Sequence, residues 1–220
     1  MQNDEQFYSF FTVVTGTYEY KQHEYTMLTT LYPSFNPFHD STILSKYDQS
    51  YRLFSLVKHK TDFLLYRGSR DGFTPLAFHS RCDGKSNTVT IIKSSLNKTF
   101  GGYTSKPWKS DFSYSYDSDA FLFSLDQYYD LKSKFKVADP STAIWNNPRT
   151  GPVFGSFLNY NFCDILVGFG IEYSNYADFG SSYTLPKYLT SEDRNKITSF
   201  LAGSFFSWGV AEIEVYQVTF

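Results

Sequence analysis

The chain has 220 residues, of which 41% are hydrophobic, 20% aromatic and 19% charged, and 20 Lys and Arg against 22 Asp and Glu leave a net charge of −2. This balance excludes a fibre, a coiled coil and a disordered tail. It also lacks the basic field with which a nucleic-acid binder neutralises phosphates. The aromatic excess, 23 Phe, 19 Tyr and 3 Trp, predicts a β-rich fold with a sizeable core, because these side chains are large packing units suited to pleated surfaces.

The first forty residues have their own character. Phe7, Phe10, Phe11 and Val14 fall at helical spacing, with Gly16 placed to end the helix. A second helical stripe runs over 19–32 and stops at Pro33. Two readings stand for this extension, residues 1–40: padding for the core of the following domain, or an arm that docks on a partner. The acidic start, Met1-Gln-Asn-Asp-Glu5, is unlike a signal or transit peptide. Two cysteines, Cys82 and Cys163, are too few for a secreted disulfide scaffold. No run approaches the ~18 apolar residues of a membrane span. A cytoplasmic protein is therefore expected.

From residue 41 to the end the pattern predicts one domain. Ser45-Lys-Tyr-Asp48 reads as a capping box, followed by Leu53, Leu56 and Val57 on one helical face. Phe63-Leu-Leu-Tyr66 reads as a strand running into the turn-rich stretch Arg67-Gly-Ser-Arg-Asp-Gly72. Thr74 before Pro75 starts a short helix over 74–83 that carries Phe78, His79 and Cys82, and Gly84 closes it. Segments 88–93 and 99–103 form a hairpin; 120–125, 143–145, 153–154, 165–167, 170–173 and 197–201 read as further strands. In the last segment, Ile213 and Val215 face one way and Glu212, Glu214 and Tyr216 the other. The predicted fold is α+β but mainly β, a sandwich of antiparallel sheets with a few flanking helices.

Taken in order, several segments carry a resemblance. They are Leu65-Tyr-Arg-Gly-Ser-Arg-Asp-Gly72, Phe78-His79 with Cys82-Asp83, Thr88-Val-Thr-Ile-Ile-Lys93, Phe100-Gly-Gly-Tyr103 with Trp108, and Ala120-Phe-Leu-Phe-Ser-Leu125. Gly151-Pro-Val-Phe-Gly155, Ser182-Tyr-Thr-Leu-Pro186, Phe200-Leu-Ala-Gly-Ser204 and Ala211-Glu-Ile-Glu-Val-Tyr216 continue the series. Together they resemble the TLDc domain, the module of oxidation-resistance proteins, from about Ser41 to Val218. The resemblance implies a β-sandwich with packed helices, a link to oxidative-stress protection and binding to the peripheral part of the V-ATPase. It implies no enzymatic reaction and no shared cofactor. The family hallmark covering Ser69, Asp71 and Gly72 is implied to shape the partner surface, beside Arg67.

The residues themselves offer few chemical constellations. Arg67-Gly-Ser-Arg-Asp-Gly72 lacks the ending of a phosphate loop and the spacing of a dinucleotide fingerprint. Gly68 and Gly72 are expected to supply turn angles, with Asp71 bonding local amides. His79 and Cys82 share a helix face but have no second ligand pair, so no metal is expected. Cys82, near Arg81 and Lys85, is the candidate for redox chemistry. Glu212 and Glu214, on a strand at the end of the chain, are expected to face solvent or pair with Lys or Arg. With Glu172, Asp178 and Asp71 they are expected to mark a binding surface rather than a catalytic site. No Ser/His/Asp or Cys/His nucleophile arrangement can be assembled.

Three functions follow in order of expectation. The first is a non-catalytic interaction module with V-ATPase subunits as partner. The second is a structural subunit of a cytoskeletal or ciliary assembly, based on the aromatic N-terminal segment. The third is an antioxidant acting through Cys82. Tyrosines at 114, 116, 128, 129, 173 and 176 are expected on the surface, where an apolar ring with a polar tip suits an interface.

Overall fold

In the computed structural model the described residues are 37–44, 47–126, 134–156, 163–170, 174–178, 180–186, 189, 193–204 and 208–220. The predicted arm with Phe7, Phe10, Phe11 and Val14 lies outside them, as do Ser45 of the predicted capping box, Tyr128, Tyr129, Glu172 and Tyr173. Ten strands occur among the described residues: β1 (Thr61–Arg67), β2 (Thr88–Ser94), β3 (Thr99–Thr104), β4 (Tyr114–Ser115), β5 (Phe121–Ser124), β6 (Lys134–Lys136), β7 (Ile144–Trp145), β8 (Val153–Phe154), β9 (Ile165–Leu166) and β10 (Val210–Thr219). The helices are α1 (Tyr47–Val57), α2 (Gly68–Asp71), α3 (Pro75–Cys82) and α4 (Arg194–Phe200), with a 3-10 turn at Pro140–Thr142.

The strands form two antiparallel sheets. One has six strands in the order β1-β10-β2-β3-β5-β6, and the other has four in the order β4-β7-β8-β9. The last strand in sequence is thus interior to the larger sheet, with β1 and β2 on either side. Alternation along β10 assigns its faces as the sequence predicts. Ile213 and Val215 join the cluster that includes Phe78, Trp108, Ile144, Phe154 and Ile165, between the sheets and beneath α3. Tyr216 and Val218 join the opposite cluster, where Phe38, Ile43, Leu44 and the α1 residues Leu53 and Val57 cover the sheet's outer face. Because both faces are covered, β2 is apolar on both sides: Ile91 belongs to one cluster and Ile92 to the other.

The mainly β sandwich is as predicted, and so is the burial of Phe78, Phe100, Tyr103, Trp108, Phe121, Phe123, Phe154, Phe200 and Tyr216. Gly101 and Gly102 lie inside β3. A Cβ on Gly101 would stand 1.9 Å from the Thr90 carbonyl oxygen, and one on Gly102 would stand 2.7 Å from the Phe154 ring. Gly102 therefore lets the second sheet's Phe154 approach the backbone of the first, while Gly101 makes room on the opposite face for the Phe123 ring and the Thr90 carbonyl. The strand predicted over 197–201 is instead the end of α4 and the turn after it. A short apolar run cannot by its length alone distinguish strand from buried helix, and Ile197, Phe200 and Leu201 bury as one helical stripe.

Candidate functional site

Most of the residues singled out from the sequence meet at one corner, where β1 ends and α2 begins. Glu214 reaches this corner from β10 on the outer face of the sheet and is fully buried. Its carboxylate accepts from Arg67 Nε at 2.9 Å, Ser41 Oγ at 2.6 Å, and the Thr42 amide and hydroxyl at 2.8 and 3.0 Å. Arg67 also donates to the Asp40 carbonyl. The expected pairing with an arginine is present. The solvent-facing alternative fails for Glu214 because the strand is central and covered on both faces. Glu212, half-buried, accepts from the Ser69 and Ile213 amides at 3.1 and 2.9 Å.

Asp71 closes the other side of the corner. It accepts from the Arg67 amide at 3.0 Å, as predicted for an acid that bonds local amides. Arg70 and Arg81 pair with it at 2.7 and 3.3 Å. Burial works to raise its pKa, but the Arg70 bond, the Arg67 amide and the two guanidinium charges outweigh it and hold the carboxyl below its ordinary value. Tyr66 donates its hydroxyl to the Gly72 carbonyl at 2.8 Å, and Gly72 has φ +105°, the left-handed angle expected of it. Gly68 is different: it is helical, and its missing side chain makes room for Phe73, whose ring would lie 2.3 Å from a Cβ there. The carboxylates of Asp71 and Glu214 therefore point inward. They brace the corner and do not themselves form the surface.

α3 starts as the Thr74-Pro75 signal predicts, with Thr74 Oγ1 accepting from the Ala77 amide at 3.1 Å. His79 Nδ1 meets Asp83 at 2.7 Å, and Nε2 meets the Asn147 and Thr150 carbonyls at 3.0 and 3.1 Å. Both ring nitrogens are thus engaged by oxygens, and His79 ties α3 to the 147–151 turn. Cys82 is fully buried; desolvation first, then the charges of Asp83 and Asp71, push its thiol well up despite the opposing Arg81. A reactive thiolate needs the reverse surroundings. Among the described residues no group of three or more His, Cys, Asp or Glu could hold a metal ion. Asp178 lies apart from the corner, buried beside β9, where its amide donates to the Cys163 carbonyl at 3.3 Å.

The braced corner, the paired glycines of β3 and the His79 tie are what the recurring segments encode, and the model of the TLDc domain matches residues 38–219. The chain belongs to the TLDc family. The comparison with curated proteins gives no match. The match starts at Phe38, the first core aromatic of this TLDc domain, whose ring packs edge-on to Tyr216 with centroids 5.1 Å apart.

Two buried acids of the TLDc domain were not singled out from the sequence. Asp164 accepts from the Gly180, Ser181 and Ser182 amides at 2.7, 3.1 and 2.7 Å. Asp117 accepts from the Thr104 and Ser105 hydroxyls and the Ser105 amide, each at 2.7 Å. The available signal was a lone Asp inside the apolar run Cys163-Asp-Ile-Leu-Val167. A charge there needs a built partner. Among the described residues the surface is marked by exposed Phe63, Phe73, Leu76, Leu96, Phe112, Tyr116 and Phe220. Of the predicted surface tyrosines, Tyr116 is exposed and Tyr114 and Tyr176 are half-buried. No helix among the described residues is long and apolar enough to cross a membrane.

Proposed function

We propose that this TLDc domain is a non-catalytic, cytoplasmic interaction module that docks on the peripheral region of the V-ATPase and contributes to oxidative-stress resistance. One observation supports the non-catalytic reading above the rest: the candidate chemical groups at the β1–α2 corner are spent on internal bonds. Arg67, Asp71 and Glu214 saturate one another and the backbone, and Cys82 sits in the core. An acid–base pair must reach a substrate proton, and a nucleophile must reach its target. The family resemblance supports the choice of partner.

Affinity capture with the full chain as bait, read by quantitative mass spectrometry, tests the reading. V-ATPase peripheral subunits are expected as the main catch; stable filament or scaffold proteins of a cytoskeletal or ciliary assembly in their place would overturn it. Peroxide consumption by the purified protein is expected to stay at the buffer rate and not to change in Cys82→Ser. A turnover that this substitution abolishes would make the protein an antioxidant enzyme.

A further inference from the structure

Exposed apolar side chains gather around the 146–151 turn. Leu76, 80% exposed, precedes His79 by one helical turn, and so lies on the flank of α3 that His79 ties to this turn. Phe73 packs edge-on to Phe169 with centroids 6.5 Å apart, and Phe169 in turn covers Gly151, where a Cβ would lie 2.6 Å from its ring. At the start of the turn the Phe112 amide donates to the Asn146 carbonyl at 2.8 Å, and the Arg149 guanidinium lies over the exposed Phe112 ring at 5.9 Å. Phe112 and Phe169 both have left-handed backbones, φ +58° and +56°. Bulky residues rarely adopt that region, and they persist there only where the surroundings fix them. Thr74 and the His79 bonds likewise fix Leu76. The surface is rigid, apolar at its centre, and made from both layers of the fold.

Cations outnumber acids at its rim. Arg149, Lys109, Arg70, Arg81 and Lys85 are exposed at or beside it. The nearby acids are engaged: Asp71, inward, by the Arg67 amide and by Arg70 and Arg81 together, and Asp83, partly exposed, by His79 and the Ser110 hydroxyl. Asp111 is the exposed exception, bonded to Ser113 and 3.9 Å from Lys109. We propose that the outer flank of α3 and the 146–151 turn form a docking surface for an acidic amphipathic segment of a protein partner, an inference that rests on the interaction-module reading. The segment's apolar stripe covers Leu76, Phe73 and Phe112, and its carboxylates meet Arg149 and the arginines at the rim. Aromatic and arginine side chains at a fixed apolar centre are the usual composition of an interface hot spot. An anionic membrane would call for a broad basic field, whereas here Arg70 and Arg81 share Asp71 and Lys109 stands near Asp111.

The test is fluorescence anisotropy with the full chain and two synthetic amphipathic helical peptides that share a leucine stripe, one glutamate-rich and one lysine-rich. The glutamate peptide should bind about tenfold tighter or better, about 1.4 kcal/mol, and more weakly as salt rises. Leu76→Glu and Arg149→Glu should each weaken it by about tenfold, and Leu76→Ser by less. Phe63→Glu, on the outer strand β1, should leave affinity unchanged, and all four variants should keep the parent unfolding midpoint. Equal binding of the two peptides, parent affinity in Leu76→Glu and Arg149→Glu, or binding only to phosphatidylserine vesicles would overturn the proposal. Capture of V-ATPase subunits undiminished by Leu76→Glu and Arg149→Glu would overturn this surface and leave the interaction-module reading standing. Selective peptide binding without any V-ATPase capture would support the surface and overturn the choice of partner.

Discussion

Glu214 and Asp164 are both fully buried carboxylates, one on an interior strand of the six-stranded sheet and one at the start of β9 in the four-stranded sheet, yet their surroundings differ in kind. Glu214 is met by a cation, three hydroxyls (Ser41, Thr42 and, at 3.4 Å, Tyr216) and an amide. Asp164 is met by successive backbone amides, and no lysine or arginine bonds to it among the described residues. In the first case a counter-charge offsets the cost of leaving water, and in the second case fixed dipoles do. The segments they secure differ accordingly. Glu214 ties residues 40–42 and the start of α2 to the outer face of the sheet. Asp164 gathers the 180–182 turn beneath Gly155, where φ is +90° and a Cβ would lie 2.2 Å from the Asp164 carboxylate. Breaking each site should therefore have different consequences.

The largest effect is expected at the ion pair. Arg67→Met leaves Glu214 buried and without its cation, and removing one partner of a buried pair costs about 3–5 kcal/mol. Urea unfolding should show this as a shifted midpoint, and adding Glu214→Gln should recover part of it because no charge is then left unpaired. If Arg67→Met costs no more than an ordinary surface change, the hydroxyls and the amide alone satisfy Glu214, and the two carboxylates are alike after all. Asp164→Asn should cost less, about 1–3 kcal/mol. One oxygen can still accept from Gly180 and Ser181, but the new amide nitrogen faces the Ser182 N–H donor to donor. A neutral outcome would mean that the 180–182 turn can relax away from position 164.

The contrast also accounts for what could be read from the sequence. The alternation of β10, the 88–104 hairpin and the Thr74-Pro75 helix start are local patterns, and local patterns survive folding. The interior position of β10 was not legible, because strand order is a property of the whole sheet. Glu214 was therefore placed at a chain end rather than in a core. Asp71 was legible as a turn acid because its partner amide is four residues away, whereas the Ser41 and Thr42 partners of Glu214 are more than 170 residues away in the chain. Asp164 was missed for a related reason. Its partners are backbone amides, which every residue has, so no side-chain type marks them. The docking surface is the least legible part, since it joins Leu76, Phe112 and Phe169 from three separate segments.

The smallest effect, and the one that most directly separates the two kinds of carboxylate site, is in the pH dependence of stability. Burial pushes the Asp164 carboxyl up to about 7 against the pull of the surrounding amides. A carboxyl whose pKa is higher in the folded chain binds more protons there than when unfolded. Its contribution is complete below the ordinary aspartate range and is lost as pH rises through about 7. Asp71 has the opposite sign: held below its ordinary value, it contributes above that value and loses the contribution only in acid. Wild-type stability should therefore decline between about pH 5 and pH 8 with a component that Asp164→Asn lacks, so the cost of that substitution should be greatest near pH 5 and shrink by pH 8. A protonated carboxyl oxygen can still accept from the Ser182 amide, which is why acid preserves the wild-type turn and does not rescue the asparagine. Denaturant titrations of both proteins across that window provide the measurement. Parallel curves would mean that the three amides keep Asp164 ionised throughout, and that backbone dipoles alone can hold a core carboxylate as firmly as Arg67 holds Glu214.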